Sequence, residues 1–298
     1  MTDESSLTGG QLGPYVVGNK LADGGMGSVY RTYKPGSNDP LVIKVLLPEY
    51  SDEEEFRKRF VREVKVLSDL HHPNIIPVHD YGQEGDLLYF VMPLIKGSSL
   101  NDLLHKQHFS PATAWLILDP IAQALNYAHS LHIIHRDIKP HNILLGSSDG
   151  KGLQTHPYLA DFGLSKPLDK SAMTKPSMMI GTPEYMAPEQ VKAQPVTHRT
   201  DIYALGIVAF EMLLGTVPFS DSNGDSMAIA LKQVRELPPY PTDLHSNFPL
   251  PLEYVILRAL AKAPGERYDS AEAFRQAYWE ELQNLTPEAR MADYWTQS

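Results

Sequence analysis

IIHRDIKPHNILL, residues 133–145, begins and ends as an apolar, β-type run, yet its middle carries a histidine, an arginine, an aspartate, a lysine and an asparagine. Polar groups set this close to apolar ones are costly unless a partner or a reaction uses them. Lys139 and Asn142 follow Asp137 by two and five residues, and LADFGL brings Asp161 nineteen residues past Asn142. Asn142 and Asp161 offer hard oxygen ligands of the kind that suit Mg²⁺ carried on phosphates. Asp137 is then free to position a hydroxyl nucleophile and take its proton, and Lys139 to neutralise charge on a phosphoryl group in transfer. Taken singly, an aspartate in a loop is as well explained as a turn or cap residue, Asp161 before Phe-Gly included.

Upstream, LADGGMGSVY at 21–30 sets Gly24, Gly25 and Gly27 between two strand-like runs. A turn that needs positive φ accounts for one or two of these glycines. Three within four positions also suit a backbone that closes over phosphates. The segment is no P-loop, since no GK[ST] follows, and no dinucleotide fingerprint, since no helix opens after it. In VIKVLL, 42–47, Lys44 stands inside an apolar strand and needs a partner for its charge. Phe56, Phe60, Val64 and Leu67 recur at helical spacing, which puts Glu63 on the inward side of that helix. A Lys44–Glu63 pair would aim the ammonium group at an anion. A snorkelling lysine and a surface glutamate are the plainer alternative.

Composition narrows the classes. The 298 residues are 42% apolar and 21% charged, which is the range of soluble globular domains. A net charge of −10 argues against nucleic acid or an acidic membrane surface as the main partner. With no cysteine, disulfides and thiolate chemistry are excluded, which fits a reducing compartment. The 12 histidines are scattered and no HExxH occurs, so no zinc site is expected. MTDESSLTGGQLG is not a secretory signal. IYALGIVAFEMLLG, 202–215, is too short to cross a bilayer and fits a buried helix.

Periodicity predicts strands at 15–21, 28–34 and 41–47, then a helix from Ser51 to about 71–74. Strands at 75–81 and 87–92 follow, with QEGD as their turn, and a connector at 93–100. Ser110-Pro111 opens a helix to about 131, with a kink or break expected at Pro120. Short strands flank the opening stretch, and helices are expected at 202–214 and near 225–236, 251–262 and 270–285. The chain therefore divides into a loose tail at 1–14, a strand-rich part at 15–92, a hinge at 93–97, a helical part at 98–285 and a polar tail at 286–298. A cleft between two such parts is where a ligand is expected.

In chain order the signals are a glycine loop, an in-strand lysine, a helical glutamate, HRDIKPHN, DFG, and the PEY and APE elements of MIGTPEYMAPEQ at 179–190. This series resembles the eukaryotic-type protein kinase superfamily over roughly residues 15–285. DIKPHN and GTPEY are similar to the serine/threonine branch, and GGMGSVY with APGERYDSAEAF, 263–274, to its bacterial members. The resemblance implies an α+β, bilobal fold, with a small, mainly antiparallel β N-lobe carrying one key helix and a larger, mainly helical C-lobe. It implies an enzyme that moves the γ-phosphoryl of Mg-ATP to serine and threonine hydroxyls of proteins, with Mn²⁺ an alternative metal.

Carried over by position, Gly24, Gly25 and Gly27 would cover the phosphates, and Lys44, held by Glu63, would bind the α- and β-phosphates. Asp137 would be the base, Lys139 would meet the γ-phosphate, and Asn142 and Asp161 would hold the metals. Leu21, Val29, Val42 and Leu144 would line the nucleotide, with Met92 as gatekeeper, Leu94 and Ile95 as hinge and Asp102 at the ribose. Leu67, His135 and Phe162 resemble spine residues, and Glu189 with Arg267, and Asp201, the family's structural polar pairs. Arg136 implies control by phosphorylation, with Thr174 preferred over Ser171 and Ser177, while Thr182 would contact substrate or Asp137. The implied partners are protein substrates and the chain itself in trans, with a homodimer left open and no nucleic acid or membrane span. The implied place is cytoplasmic, as a complete kinase or as the cytosolic domain of a membrane-anchored receptor.

Four features depart from the pattern. Ala22 replaces the first loop glycine, Pro93 stands at a hinge position, Val42 is bulkier than the usual alanine, and 146–159 is long and reads as an exposed excursion. Ala22 and Val42 are what favour a rival reading, a pseudokinase scaffold. A small-molecule phosphotransferase is a third, but it has little use for the PEY and APE platform, which in protein kinases seats a peptide near its acceptor residue.

Overall fold

The computed structural model describes residues 7–24, 27–46, 54–147, 155–162 and 182–295. The expectations for Gly25, for a helix start at Ser51 and for phosphorylation at Ser171, Thr174 and Ser177 lie outside the described residues. The chain forms two compact units that divide between Lys96 and Gly97. Among the described residues the first is mainly antiparallel β with one helix and the second mainly helical, as the resemblance implies.

In the first unit β1 (Gln11–Leu12), β2 (Tyr15–Gly24), β3 (Gly27–Tyr33), β4 (Leu41–Leu46), β5 (Asp80–Glu84) and β6 (Leu87–Pro93) form one sheet, in the order β1-β2-β3-β4-β6-β5. Every pairing is antiparallel. Tyr15, Val17, Tyr30, Ile43, Val45 and Val91 bury one face of it. The helix α1 (Glu54–Ser68) turns Phe56, Phe60, Val64 and Leu67 inward, with the Phe60 ring 6.4 Å from that of Phe90 on β6.

Two expectations fail here. Residues 11–14 are not loose: Leu12 pairs with Tyr15 and is buried, and Gly13, at φ +54, makes the Gly13-Pro14 turn between β1 and β2. The strand expected at 75–81 starts only at Asp80 and runs to Glu84. Pro77 has no N–H to give a ladder, and the turn tightens to Gly85-Asp86, with Gly85 at φ +57.

In the second unit β7 (Gly97–Ser99), β8 (Ile143–Ser147) and β9 (Thr155–Leu159) make an antiparallel sheet. The ladder reaches Ser147↔Thr155, so the ends of the expected 146–159 excursion are strand, and 148–154 lie outside the described residues. Around it lie α2 (Leu100–Leu104), α3 (Pro111–Ser130), α4 (Pro188–Val191), α5 (His198–Leu214), α6 (Ser226–Arg235), α7 (Pro241–Leu244), α8 (Leu250–Ala259), α9 (Ala271–Asn284) and α10 (Pro287–Met291). The helix α5 is apolar all round and buried all round, and it begins four residues before the expected start because Thr197 caps it.

The helix α3 runs through Pro120 without a break. The carbonyl that loses its bond belongs to Leu116, on the exposed face, while Ile117, Leu118, Ile121 and Ala122 hold the buried face. The polar tail expected from 286 also folds. Thr286 caps α10, Tyr294 is buried, and the Trp295 indole donates to the Met212 carbonyl at 2.7 Å while stacking on His108. Two aromatic residues outweigh the polar composition around them. Among the described residues no helix is long and apolar enough to cross a membrane.

Candidate active site

In the first unit, cross-strand register places Ala22 opposite Val29, Val29 opposite Lys44, Lys44 opposite Phe90 and Val42 opposite Met92. Directly opposed residues share a face, and so do residues two apart on a strand. Val29, Val42, Lys44 and Met92, chosen along the sequence, therefore line one face together with Ala22. This is the face opposite the one that Ile43 and Val45 bury. The Lys44 ammonium lies 5.9 Å from the Phe90 ring centre. Glu63 is half-buried on α1, in the same unit.

The glycine loop has a packing reason of its own. A Cβ on Gly27 would lie 2.1 Å from the Val45 carbonyl oxygen, so the β3–β4 approach itself demands glycine there. Gly24 pairs with Gly27 across the hairpin, and Leu21 is largely exposed on β2. The backbone N–H of Leu94 donates to the Pro40 carbonyl at 2.8 Å, which ties the segment after β6 to the start of β4, and Ile95 follows half-buried.

In the second unit, the strands β8 and β9 deliver the catalytic candidates. Ile143 pairs with Leu159 at the inner end of the ladder, and the Ala160 N–H donates to the Asn142 carbonyl at 2.9 Å. Asn142 and Asp161, nineteen residues apart in sequence, thus leave the two strands side by side. Asn142 closes a short 3-10 turn, Pro140–Asn142, and is buried. Its Nδ2 donates to the Asp137 carbonyl at 2.7 Å and to Asp137 Oδ2 at 2.9 Å. The Lys139 ammonium reaches the same Oδ2 at 3.0 Å. Asp161 sits at φ +56, a left-handed backbone that aspartate tolerates better than most residues.

This donor set fits a hard cation. Because the Asn142 Nδ2 is engaged with Asp137, its Oδ1 is the atom left for a metal, and Asp161 adds a carboxylate. Leu144 follows half-buried on β8, opposite Ser99 and Tyr158. Asp102 stands in a reciprocal capping box with Ser99, which holds its carboxyl below the usual range.

Beneath the loop, His135 is fully buried. Its Nε2 donates to the Ala160 carbonyl at 2.8 Å, and its Nδ1 accepts from the Asp137 N–H at 3.2 Å, which defines a neutral ring. Burial pushes its pKa down against the pull of Asp201, in keeping with that state. The ring packs 4.5 Å from Phe162, while Leu67, the third expected spine residue, is buried on α1 in the first unit. Asp201 accepts from the N–H groups of His135 and Arg136, at 2.8 and 2.7 Å, and from His129 Nε2 at 2.8 Å. Burial alone would raise the Asp201 carboxyl, but the His129 bond and the other donors hold it below its ordinary value. Arg136 itself stands at φ +67, and this grip on the peptide units around it maintains that strained geometry.

Arg267 meets Glu189 with two parallel bonds of 2.7 and 2.8 Å, both residues buried, as the resemblance implies. Thr182 opens the 3-10 turn Pro183–Tyr185, where its carbonyl accepts from the Tyr185 N–H. The Tyr185 hydroxyl donates to Glu211 at 2.5 Å, and Gln190 Nε2 donates to the Arg136 carbonyl at 2.9 Å. His129, Gln190, Glu211 and Gln233 carry no signal in the sequence. Each acts across tens of residues, and none lies in a recognisable spacing.

A family model described as "Protein kinase domain" matches residues 15–279. The chain is 36% identical over 261 residues to the serine/threonine-protein kinase PrkC of Bacillus subtilis, covering 87% of this chain and 39% of that protein. It is 37% identical over 274 residues to the serine/threonine-protein kinase PknD of Mycobacterium tuberculosis, covering 91% and 40%. The chain thus spans about two-fifths of the length of these relatives. The crystal structure of the M. tuberculosis PknI kinase domain superposes with a TM-score of 0.74 at 30% identity, covering 93% of this chain and all of that one. The fold is therefore the bilobal kinase fold, and the chain belongs to the protein kinase domain family as a bacterial-type serine/threonine kinase domain.

Proposed function

We propose that the catalytic set of this domain is Asp137, Lys139, Asn142 and Asp161, and that it moves the γ-phosphoryl of ATP to serine and threonine hydroxyls of protein substrates and of a second copy of the chain. Asp137 orients the acceptor hydroxyl and takes its proton as the oxygen–phosphorus bond forms and the bond to the departing ADP breaks. Lys139 neutralises charge on the phosphoryl group in transfer. Asn142 and Asp161 hold Mg²⁺, which when bound screens the phosphate charges. Mn²⁺ fits the same oxygen ligands. Lys44, with Glu63, takes the α- and β-phosphates. Val29, Val42, Met92 and Leu144 pack against the base, Leu94 and Ile95 offer backbone groups, and the exposed Asp102 carboxylate reaches the ribose.

The observation that carries this reading is the pair of bonds from Asn142 to Asp137, joined by Lys139 on the same carboxylate. A scaffold has no physical need to hold a base, a cation and a metal ligand together in this way. The test is transfer of labelled γ-phosphate from Mg-ATP to the chain and to a basic protein acceptor, with Lys44→Met as control. Label on serine and threonine that Lys44→Met abolishes is expected, with Thr174 the leading site and Ser171 and Ser177 next. Transfer that survives Lys44→Met contradicts the reading.

A further inference from the structure

Gln233 lies on α6, a helix whose other buried residues are Ile229 and Ala230, yet its amide is fully buried. Every bonding group of that amide is used. Nε2 donates to the carbonyls of Pro183 and Glu184, at 3.2 and 2.6 Å, and Oε1 accepts from the Tyr203 hydroxyl at 2.6 Å. The Lys262 ammonium closes the ring by donating to the Tyr203 hydroxyl at 3.2 Å and to the Gln233 carbonyl at 2.9 Å. It also sits 4.2 Å from the centre of the Phe219 ring. The Arg267 guanidinium, which grips Glu189, lies 4.7 Å over the other face-forming ring, Tyr203. One polar network therefore ties both ends of the 183–189 segment to α5, α6 and the chain after α8.

Burying an amide and a phenol with a half-buried ammonium is a poor route to stability alone, because an apolar trio of similar volume avoids the desolvation. What a satisfied network provides is a single geometry. We infer that Gln233 is a positioning residue for the acceptor: it fixes the Pro183–Tyr185 turn at the head of the segment whose Gln190 bonds the Arg136 carbonyl beside Asp137, and so sets the ground on which a peptide presents its hydroxyl to Asp137. This rests on the kinase reading above and adds to it the group that sets acceptor affinity. None of the atoms in the network belongs to the nucleotide set, so acceptor and nucleotide should respond differently.

The test is a steady-state comparison of the parent with Gln233→Leu and Tyr203→Phe, using a basic protein acceptor and Mg-ATP, each varied in turn. Gln233→Leu should raise the KM for the acceptor about tenfold while the KM for ATP stays within about twofold. Tyr203→Phe keeps the ring and removes one bond, so the acceptor KM should rise about threefold. If Gln233→Leu does not fold, Tyr203→Phe carries the same comparison. An acceptor KM that does not move, or one that rises in parallel with the KM for ATP, overturns the positioning role and leaves the kinase reading standing. A parent that transfers no phosphate overturns both.

Discussion

Asn142 holds Asp137 twice with one amide nitrogen, at the backbone carbonyl and at the carboxylate. The first bond fixes the loop and the second fixes the rotation of the side chain. On the proposed assignment the same residue also offers the oxygen to the metal, so one side chain would set both base and metal. Replacing Asn142 with leucine should therefore lower kcat about 10–100-fold and raise the Mg²⁺ concentration needed for half-maximal rate together. Initial rates across a Mg²⁺ titration measure this. A variant with full kcat that merely needs more metal would separate the two roles.

The buried, neutral His135 makes stability depend on pH. Its native pKa is pushed below the ordinary value of 6.5 by burial, so the unfolded chain binds a proton that the native state does not. That stability is fully present above the unfolded value and is lost as pH falls through about 6.5 towards the native pKa. His72 and His141, also lowered by burial, add in the same sense. Urea unfolding between about pH 7.5 and 5.5 should show stability falling with acid, by at most about 1.4 kcal/mol per pH unit for the buried His135 and by less for the solvent-screened His72 and His141. His135→Gln should flatten the slope, and an unaltered slope argues against this assignment.

Glu189 and Arg267 are both buried, so removing one charge strands the other. Glu189→Gln should destabilise the domain by about 3–5 kcal/mol. The double change Glu189→Leu with Arg267→Met should recover much of that loss. Thermal unfolding of the three variants decides it, and a mild single mutant would show that the pair matters less than its burial suggests.

At the C-terminal end of α5, Gly215 stands at φ +72, and a Cβ there would lie 2.6 Å from the Trp295 ring. Gly215→Ala should therefore cost about 1 kcal/mol from backbone strain, plus the displacement of the indole. In a Trp295→Ala background only the strain remains. A double-mutant cycle should show coupling of about 1 kcal/mol, and strict additivity would mean the ring is not docked as described.

Much of this was legible along the chain. Lys44 inside VIKVLL and the spacing of Asp137, Lys139, Asn142 and Asp161 stand out along the chain because each is a polar or charged group at a fixed separation in an apolar setting. β-pairing then does the rest: Ile143↔Leu159 turns a sequence distance into a shared site. What could not be read acts through tertiary context. Pro120 passes inside a helix because its unsatisfied carbonyl belongs to exposed Leu116, and exposure is not visible in sequence. Tyr294 and Trp295 dock a stretch whose average composition is polar. His129 and Gln233 find their partners 72 and 50 residues away, in Asp201 and Pro183. Gly27 was read as a phosphate-loop residue, and strand packing against Val45 requires it as well.

The most direct measurement is the initial rate of γ-phosphoryl transfer from Mg-ATP to a basic protein acceptor, for the parent and for Asp137→Asn prepared in parallel. If Asp137 takes the hydroxyl proton, kcat should fall about 10²–10⁴-fold while the KM for ATP changes little. Equal rates in the two proteins would contradict the assignment of Asp137 as the base.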